Sequence, residues 1–231
     1  YHQNFGHIAF STCRRLLGLP PAKNVTDDLC EACIKAQLKR DKKPGESELR
    51  STEPMQLIHM DLTGTKMVRT PEGKSIALVM VDDFSGYTWV RLLTNRTEAR
   101  DAFLSVKRLI ENEKAPRKVA AIRTDGAREF VVDSKFHRMC DEEGIAHQIS
   151  APHSQYQNGR AERKIGVLMF KTKAMMIQSN APQSDWGFAL NYAVFLLNRT
   201  PSVRLQDHSP YELWHQRPFD FNPPAAFGNR V

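Results

Sequence analysis

Three carboxylates and one histidine–cysteine set are the residues here whose types and spacing could do chemistry. Glu162 lies in Gln157-Asn158-Gly159-Arg160-Ala161-Glu162-Arg163, which reads as a helix start. Asn158 and Gly159 suit an N-cap, and apolar residues follow at Ala161, Ile165, Leu168 and Met175. Alone, a first-turn glutamate only offsets the helix dipole. Asp61 and Asp125, each near the end of a strand-like segment, change that reading. Three carboxylates brought close together repel, and the natural relief is one or two hard divalent cations. Two such ions on one site suit displacement at a phosphodiester phosphorus. Asp82, Asp83, Glu129 and Asp133 are the competing carboxylates, but Asp82 and Asp83 adjoin a turn and Glu129 suits a turn charge.

The second set is His2-x4-His7, then Cys30-x2-Cys33 after 22 intervening residues. Two imidazoles and two thiolates are the usual donors of a closed tetrahedral zinc site, and this segment could hardly bury a core unaided. Zinc there would supply folding energy rather than catalysis. The five-residue step from His2 to His7 does not fit one helical face, so Gly6 is expected to break the turn. Cys13 and Cys140 read as reduced, partly buried thiols of an intracellular protein.

The elements that must position these groups follow from pattern. Residues 55–63, 75–81, 87–93, 118–123 and 145–150 read as five strands, with Asp61 on the first and Asp125 just past the fourth. Helices are expected at 97–113, capped by Thr97, at 134–143, from 158 onward, at 184–198 and at 209–215. This order describes a mixed α/β domain. If the first and fourth strands are neighbours, their ends bring the two aspartates side by side. The expected division is a zinc-binding domain over 1–38, a basic linker over 39–52, a catalytic core over 53–218 and a truncated C-terminal extension over 219–231.

The chain has 231 residues and a net charge of +7, which favours a polyanionic partner. No apolar run is long enough to span a membrane and no signal-like start is present, so neither a membrane span nor secretion is expected. The chain begins at Tyr1, which suggests a cut from something longer. Arg160, Lys164 and Lys171 share a helix stripe and, with Tyr156, Asn158 and Arg163, make the candidate DNA-binding set. Tyr156 and His153 could stack on a base. Trp89, Trp186 and Trp214 read as core or interface, and His59 as a packing histidine.

These residues carry a resemblance. The matching segments are His2-Gln3-Asn4-Phe5-Gly6-His7 with Cys30 and Cys33, Met60-Asp61-Leu62-Thr63-Gly64, Val81-Asp82-Asp83-Phe84-Ser85-Gly86-Tyr87 and Arg123-Thr124-Asp125-Gly126 with Glu129-Phe130. Further on come Asn158-Gly159-Arg160-Ala161-Glu162-Arg163, Asn198-Arg199-Thr200-Pro201 and Pro210-Tyr211-Glu212-Leu213-Trp214. In this order, and over almost its whole length, the chain resembles the integrase of copia-type LTR retrotransposons. The resemblance implies an RNase H-like core behind a zinc-binding helical domain. It also implies Asp61, Asp125 and Glu162 as a catalytic triad using Mg²⁺ or Mn²⁺.

The activity implied is 3′-end processing of element DNA followed by strand transfer into target DNA, in the nucleus, with cytoplasmic particles of the parent element as a second location. The partners implied are double-stranded DNA, RNA as a further polyanion, and a second copy of the chain, since two DNA ends must be held. Gly166 departs from the family, which usually carries a basic residue four positions past the glutamate, and a second proline common in the 152–156 loop is missing. Two other readings are a catalytically silent nucleic-acid-binding remnant and an RNase H-type nuclease.

Overall fold

The computed structural model describes residues 2–20, 30–36, 51–63, 67–132, 134–150, 155–219 and 225–229, and not the side chains of 10, 34–36 and 155–160. In chain order the elements are α1 (Phe10–Leu16), α2 (Glu31–Ala36), β1 (Ile58–Leu62), β2 (Ile76–Asp82), β3 (Thr88–Leu93), α3 (Ala99–Glu113), β4 (Ala121–Thr124), α4 (Lys135–Glu142), β5 (Ala146–Ile149), α5 (Gln155–Ser179), α6 (Trp186–Arg199) and α7 (Pro210–His215). They divide into two compact units, one of residues 42–165 and the other of residues 1–41 with 166–231, and α5 crosses the division.

In the 42–165 unit the five strands form one mixed sheet in the order β3-β2-β1-β4-β5. The first two contacts are antiparallel and the last two parallel. Every residue of β2 is buried, as its unbroken Ile-Ala-Leu-Val-Met-Val run requires of a strand covered on both faces. Against the sheet, α3 buries Phe103, Val106 and Ile110, and α4 buries Phe136, Met139 and Cys140. Phe130 and Phe103 pack on the Phe136 ring at centroid separations of 5.0 and 5.7 Å. Each such ring contributes roughly 2–3 kcal/mol of burial.

Local capping follows the sequence in part. Ser134 caps α4 by accepting from the His137 N–H, and Ser209 opens α7 in a capping box with Glu212, with Pro210 at the first position. Ahead of α3 the cap is Asn95 rather than Thr97. Its side chain accepts from the Thr97 N–H at 3.1 Å, so a short 3₁₀ turn over Arg96–Glu98 precedes the helix.

In the other unit, Phe5, Ile8 and Cys13 form one buried cluster and Ala32 with Ala174 another. Trp186, Leu190, Leu196 and Trp214 are buried, so two of the three tryptophans are core, while Trp89 is half-buried on β3. The turn at Gly6 is real: Gly6 and His7 have φ of 64° and 58°. A Cβ at Gly6 would lie 2.5 Å from Leu196 Cδ1, so both conformation and space call for glycine.

The helix expected to start at Asn158 begins at Gln155, which moves Glu162 out of the first turn and into the helix body. Periodicity marked the apolar face and left the start open. Gly166 then sits inside a continuous helix, and an added Cβ would meet nothing within 4 Å. Gly166→Ala is expected to stabilise the protein by about 0.5–1 kcal/mol, read as a melting temperature about 2–4 °C higher. An unchanged or lower value would mean that glycine's freedom is used there. Among the described residues, no helix is long and apolar enough to cross a membrane.

Candidate active site and zinc centre

The sheet order brings Asp61 and Asp125 together. β1 pairs in parallel with β4 through Ile58 with Ile122 and His59 with Arg123, and the same offset of 64 positions carries Asp61 onto Asp125. Side chains at paired positions face the same side of a sheet. Asp61 Oδ1 accepts from the Leu62 N–H at 2.7 Å, and Asp125 Oδ1 from the Ala127 N–H at 3.1 Å. Burial, then the charges of Asp125 and Glu162, push the Asp61 carboxyl up to about 7, against the opposing pull of the Leu62 N–H and Arg96. Burial and then Asp125 also raise the Glu162 carboxyl, with Arg163 opposing. The three groups share one field, and that field is negative.

The arrangement fits hard divalent cations. A half-buried aspartate whose charge its neighbours disfavour is a ligand waiting for positive charge, and all-oxygen donors suit Mg²⁺ or Mn²⁺. The competing carboxylates have other work. Asp82 accepts from the Met55 N–H, the Ser85 N–H and the Ser85 hydroxyl, fixing the turn after β2. Asp83 accepts from the Ser51 N–H at 2.7 Å and meets His59 Nε2 at 2.9 Å, which makes His59 the packing histidine expected. Glu129 pairs with Arg96. Asp133 lies outside the described residues.

The histidine–cysteine set closes on itself. Donor atoms of His2, His7, Cys30 and Cys33 lie within 4.8 Å of one another, and among the described residues no other set of three or more ligand-type side chains is so tight. His7 Nδ1 is 3.2 Å from His2 Nε2. Cys33 Sγ is 3.3 Å from each of these nitrogens, and Cys30 Sγ is 3.4 Å from His7 Nδ1. Zinc bonds of about 2.0–2.1 Å to nitrogen and 2.3 Å to sulfur would give tetrahedral edges of roughly 3.3–3.4 Å between nitrogens, 3.5–3.6 Å from nitrogen to sulfur and 3.8 Å between sulfurs. The other nitrogen of His2, Nδ1, donates to the Ile8 carbonyl at 2.8 Å, which leaves the Nε2 lone pair aimed at the centre. Burial, then His2, holds His7 down to about 4, so its ring is neutral and ready to ligate.

The DNA-binding set fares differently. Lys171, expected on an exposed stripe, is 5% exposed, and its ammonium donates to the Gly6 carbonyl at 2.7 Å. That is a correction, and its cause is physical: the carbonyl between the two histidine ligands lies 165 positions away, where helical periodicity has no view of it. Lys164 is half-buried and Arg163 exposed. The side chains of Tyr156, Asn158 and Arg160, and the whole of His153, lie outside the described residues.

Two features escaped the sequence reading. One is Arg96, which acts on Asp61 and pairs with Glu129. The other is a histidine pair, His137 Nδ1 and His147 Nδ1 at 2.9 Å, with His147 Nε2 also 2.9 Å from the Thr124 hydroxyl. Neither partnership has a local sequence signal.

Residues 51–155 match the integrase core domain family. The five-stranded mixed sheet with its flanking helices is an RNase H-like fold, and the matched stretch covers it from β1 to β5. The whole chain is 27% identical to the Retrovirus-related Pol polyprotein from transposon TNT 1-94 of Nicotiana tabacum, of which it covers 17%. The corresponding polyproteins of transposons RE2 and RE1 of Arabidopsis thaliana are 28% and 27% identical over 79% and 92% of this chain. The chain as a whole is similar to these plant retrotransposon Pol polyproteins, and it spans 12–17% of their length.

Solved structures share the fold. A simian T-cell lymphotropic virus intasome in complex with PP2A regulatory subunit B56 gamma contains a chain with a TM-score of 0.60 and 20% identity, over 87% of this chain and 68% of that one. The HTLV-2 integrase catalytic core domain in complex with magnesium gives 0.55 and 23%, over 72% of this chain and 100% of that one.

Proposed function

We propose that this chain carries out the DNA-cutting and DNA-joining steps of retrotransposon integration, with Asp61, Asp125 and Glu162 as the metal-holding triad. The observation that carries the reading is the parallel pairing of β1 with β4, which sets Asp61 beside Asp125, with Glu162 of α5 sharing their negative field. Bound Mg²⁺ or Mn²⁺ would neutralise that field and polarise the phosphate and the attacking oxygen. The carboxylates hold and orient, and none attacks the substrate. In 3′-end processing, water adds to phosphorus and the bond to the 3′ oxygen breaks, leaving a 3′-hydroxyl on element DNA. In strand transfer that hydroxyl attacks a target phosphodiester, one P–O bond forming as another breaks. Both steps share one site because they differ only in which oxygen attacks.

His2, His7, Cys30 and Cys33 hold a structural Zn²⁺ in this reading, and the 1–38 segment is the zinc-binding domain ahead of the 39–52 linker and the 53–218 core. The partners are double-stranded DNA at element ends and target, with RNA a weaker candidate, and at least a second copy of the chain on DNA. The nucleus is the site of action, with cytoplasmic particles as the earlier location. Presence of the whole triad disfavours the silent-remnant reading.

The test is disintegration of a branched DNA mimic of the integration product in Mn²⁺. Cleavage and rejoining by this chain, absent in Asp125→Asn and Glu162→Gln, is the expected result. No turnover from folded, zinc-loaded, DNA-binding protein would remove the active-enzyme reading. Preference for an RNA–DNA hybrid would favour the nuclease instead.

A further inference from the structure

Arg96 is tied to the loop that follows Asp125. It opens the 3₁₀ turn between β3 and α3, which Asn95 caps and which Glu98 ties down by accepting from the Thr94 N–H at 3.1 Å. Its guanidinium pairs with Glu129, four positions past Asp125. The Glu129 side chain is 13% exposed and that of Arg96 37%, so the carboxylate faces inward and the guanidinium stands at the rim. Arg96 is also the smallest of the influences on the Asp61 carboxyl, opposing its rise.

A guanidinium offers five N–H donors in a planar fork, and among the described residues the one hydrogen bond the Arg96 guanidinium makes is from Nη1 to Glu129. A phosphodiester brought to three carboxylates meets a like charge, and a cation fixed at the edge of that field offsets it. A planar fork suits two phosphate oxygens at once. We propose that Arg96 contacts a DNA phosphate next to the scissile bond, and that Glu129 holds it there. The inference rests on the integrase reading above and names a residue that reading does not include.

The rival role is a strut, in which Arg96 serves only to satisfy Glu129. The two separate in a double-mutant comparison. Affinity for a duplex oligonucleotide is measured with Ca²⁺ in place of Mg²⁺, across a range of NaCl, for wild type, R96Q, E129Q and R96Q/E129Q, with thermal melts alongside. R96Q is expected to weaken binding about tenfold or more and to lower the slope of log affinity against log salt by about 0.9. E129Q keeps the wild-type slope, and the double variant stays as weak as R96Q.

Wild-type affinity and slope in R96Q, or recovery in the double variant, would overturn the proposal. If R96Q melts well below wild type, R96K decides: it keeps the charge but loses the fork, so the slope is retained while affinity falls. Equal affinity in a well-folded R96K, or loss of the slope, counts against it. Failure of the wild-type chain to bind DNA at all would instead bring down the integrase reading.

Discussion

Asp61→Asn is expected to abolish metal-dependent turnover while making the metal-free protein more stable. Activity should fall by about 10³-fold or more, because one ligand is lost from a site whose cations supply several kcal/mol of charge stabilisation. The gain in stability comes from the same cause. In the absence of metal, Asp61 is a half-buried carboxyl pushed up to about 7 by burial and by Asp125 and Glu162. Its neutral isostere removes that repulsion, for roughly 1–2 kcal/mol after solvent screening.

The pH dependence has a definite sign. The folded-state value lies above the ordinary 3.8, so between those limits the native protein holds a proton that the unfolded chain has released. Metal-free wild type should therefore lose stability as pH rises from about 4 to about 7, and Asp61→Asn should be flatter across that window. Denaturant melts with and without Mg²⁺ check both parts. A variant that is less stable at pH 7, or that keeps a Mg²⁺-dependent rise in melting temperature equal to wild type, would show that Asp61 is not under the field described.

The second large effect is zinc removal. The described residues of the segment through residue 36 contribute two short helices and a small apolar cluster, little with which to order themselves. A structural zinc site supplies apparent binding energies of about 10–16 kcal/mol near neutral pH. Chelation, or Cys33→Ser, should unfold this segment and expose the Gly6 carbonyl that Lys171 now binds. Helical circular dichroism should drop and recover on adding Zn²⁺ to the chelated wild type. The metal-free Cys33 thiol is held up to about 12 by burial and by Cys30, so loading must release its proton and zinc affinity should fall as pH drops. Unchanged dichroism and unchanged proteolysis after verified zinc loss would rule the role out.

The convergence of His2, His7, Cys30 and Cys33 was legible because metal ligands are few in type and the spacing within each pair is short. The aspartates were legible one link further on, since strand patterns put Asp61 and Asp125 at strand ends and only the pairing of β1 with β4 was left as a condition. The sheet meets that condition. What escaped were partnerships made across the fold. Lys171 looked like a surface cation because its acceptor is a backbone carbonyl near the N-terminus. Glu129 read as a turn charge, and its partner Arg96, 33 positions away, drew no reading until the turn before α3 met the loop after β4. The start of α5 was read three residues late, because asparagine and glycine resemble a cap even when the helix is already under way.

The parallel contact between β1 and β4 has one further consequence. Ile58 meets Ile122 only after β2, β3 and α3 have been made, and Glu162 comes later still in the chain. A polypeptide emerging from the ribosome thus carries both strand aspartates before it carries the glutamate that completes the set of three acids. Partial products of translation or proteolysis that end before α5 keep Asp61 and Asp125 but lack both Glu162 and the basic residues of that helix.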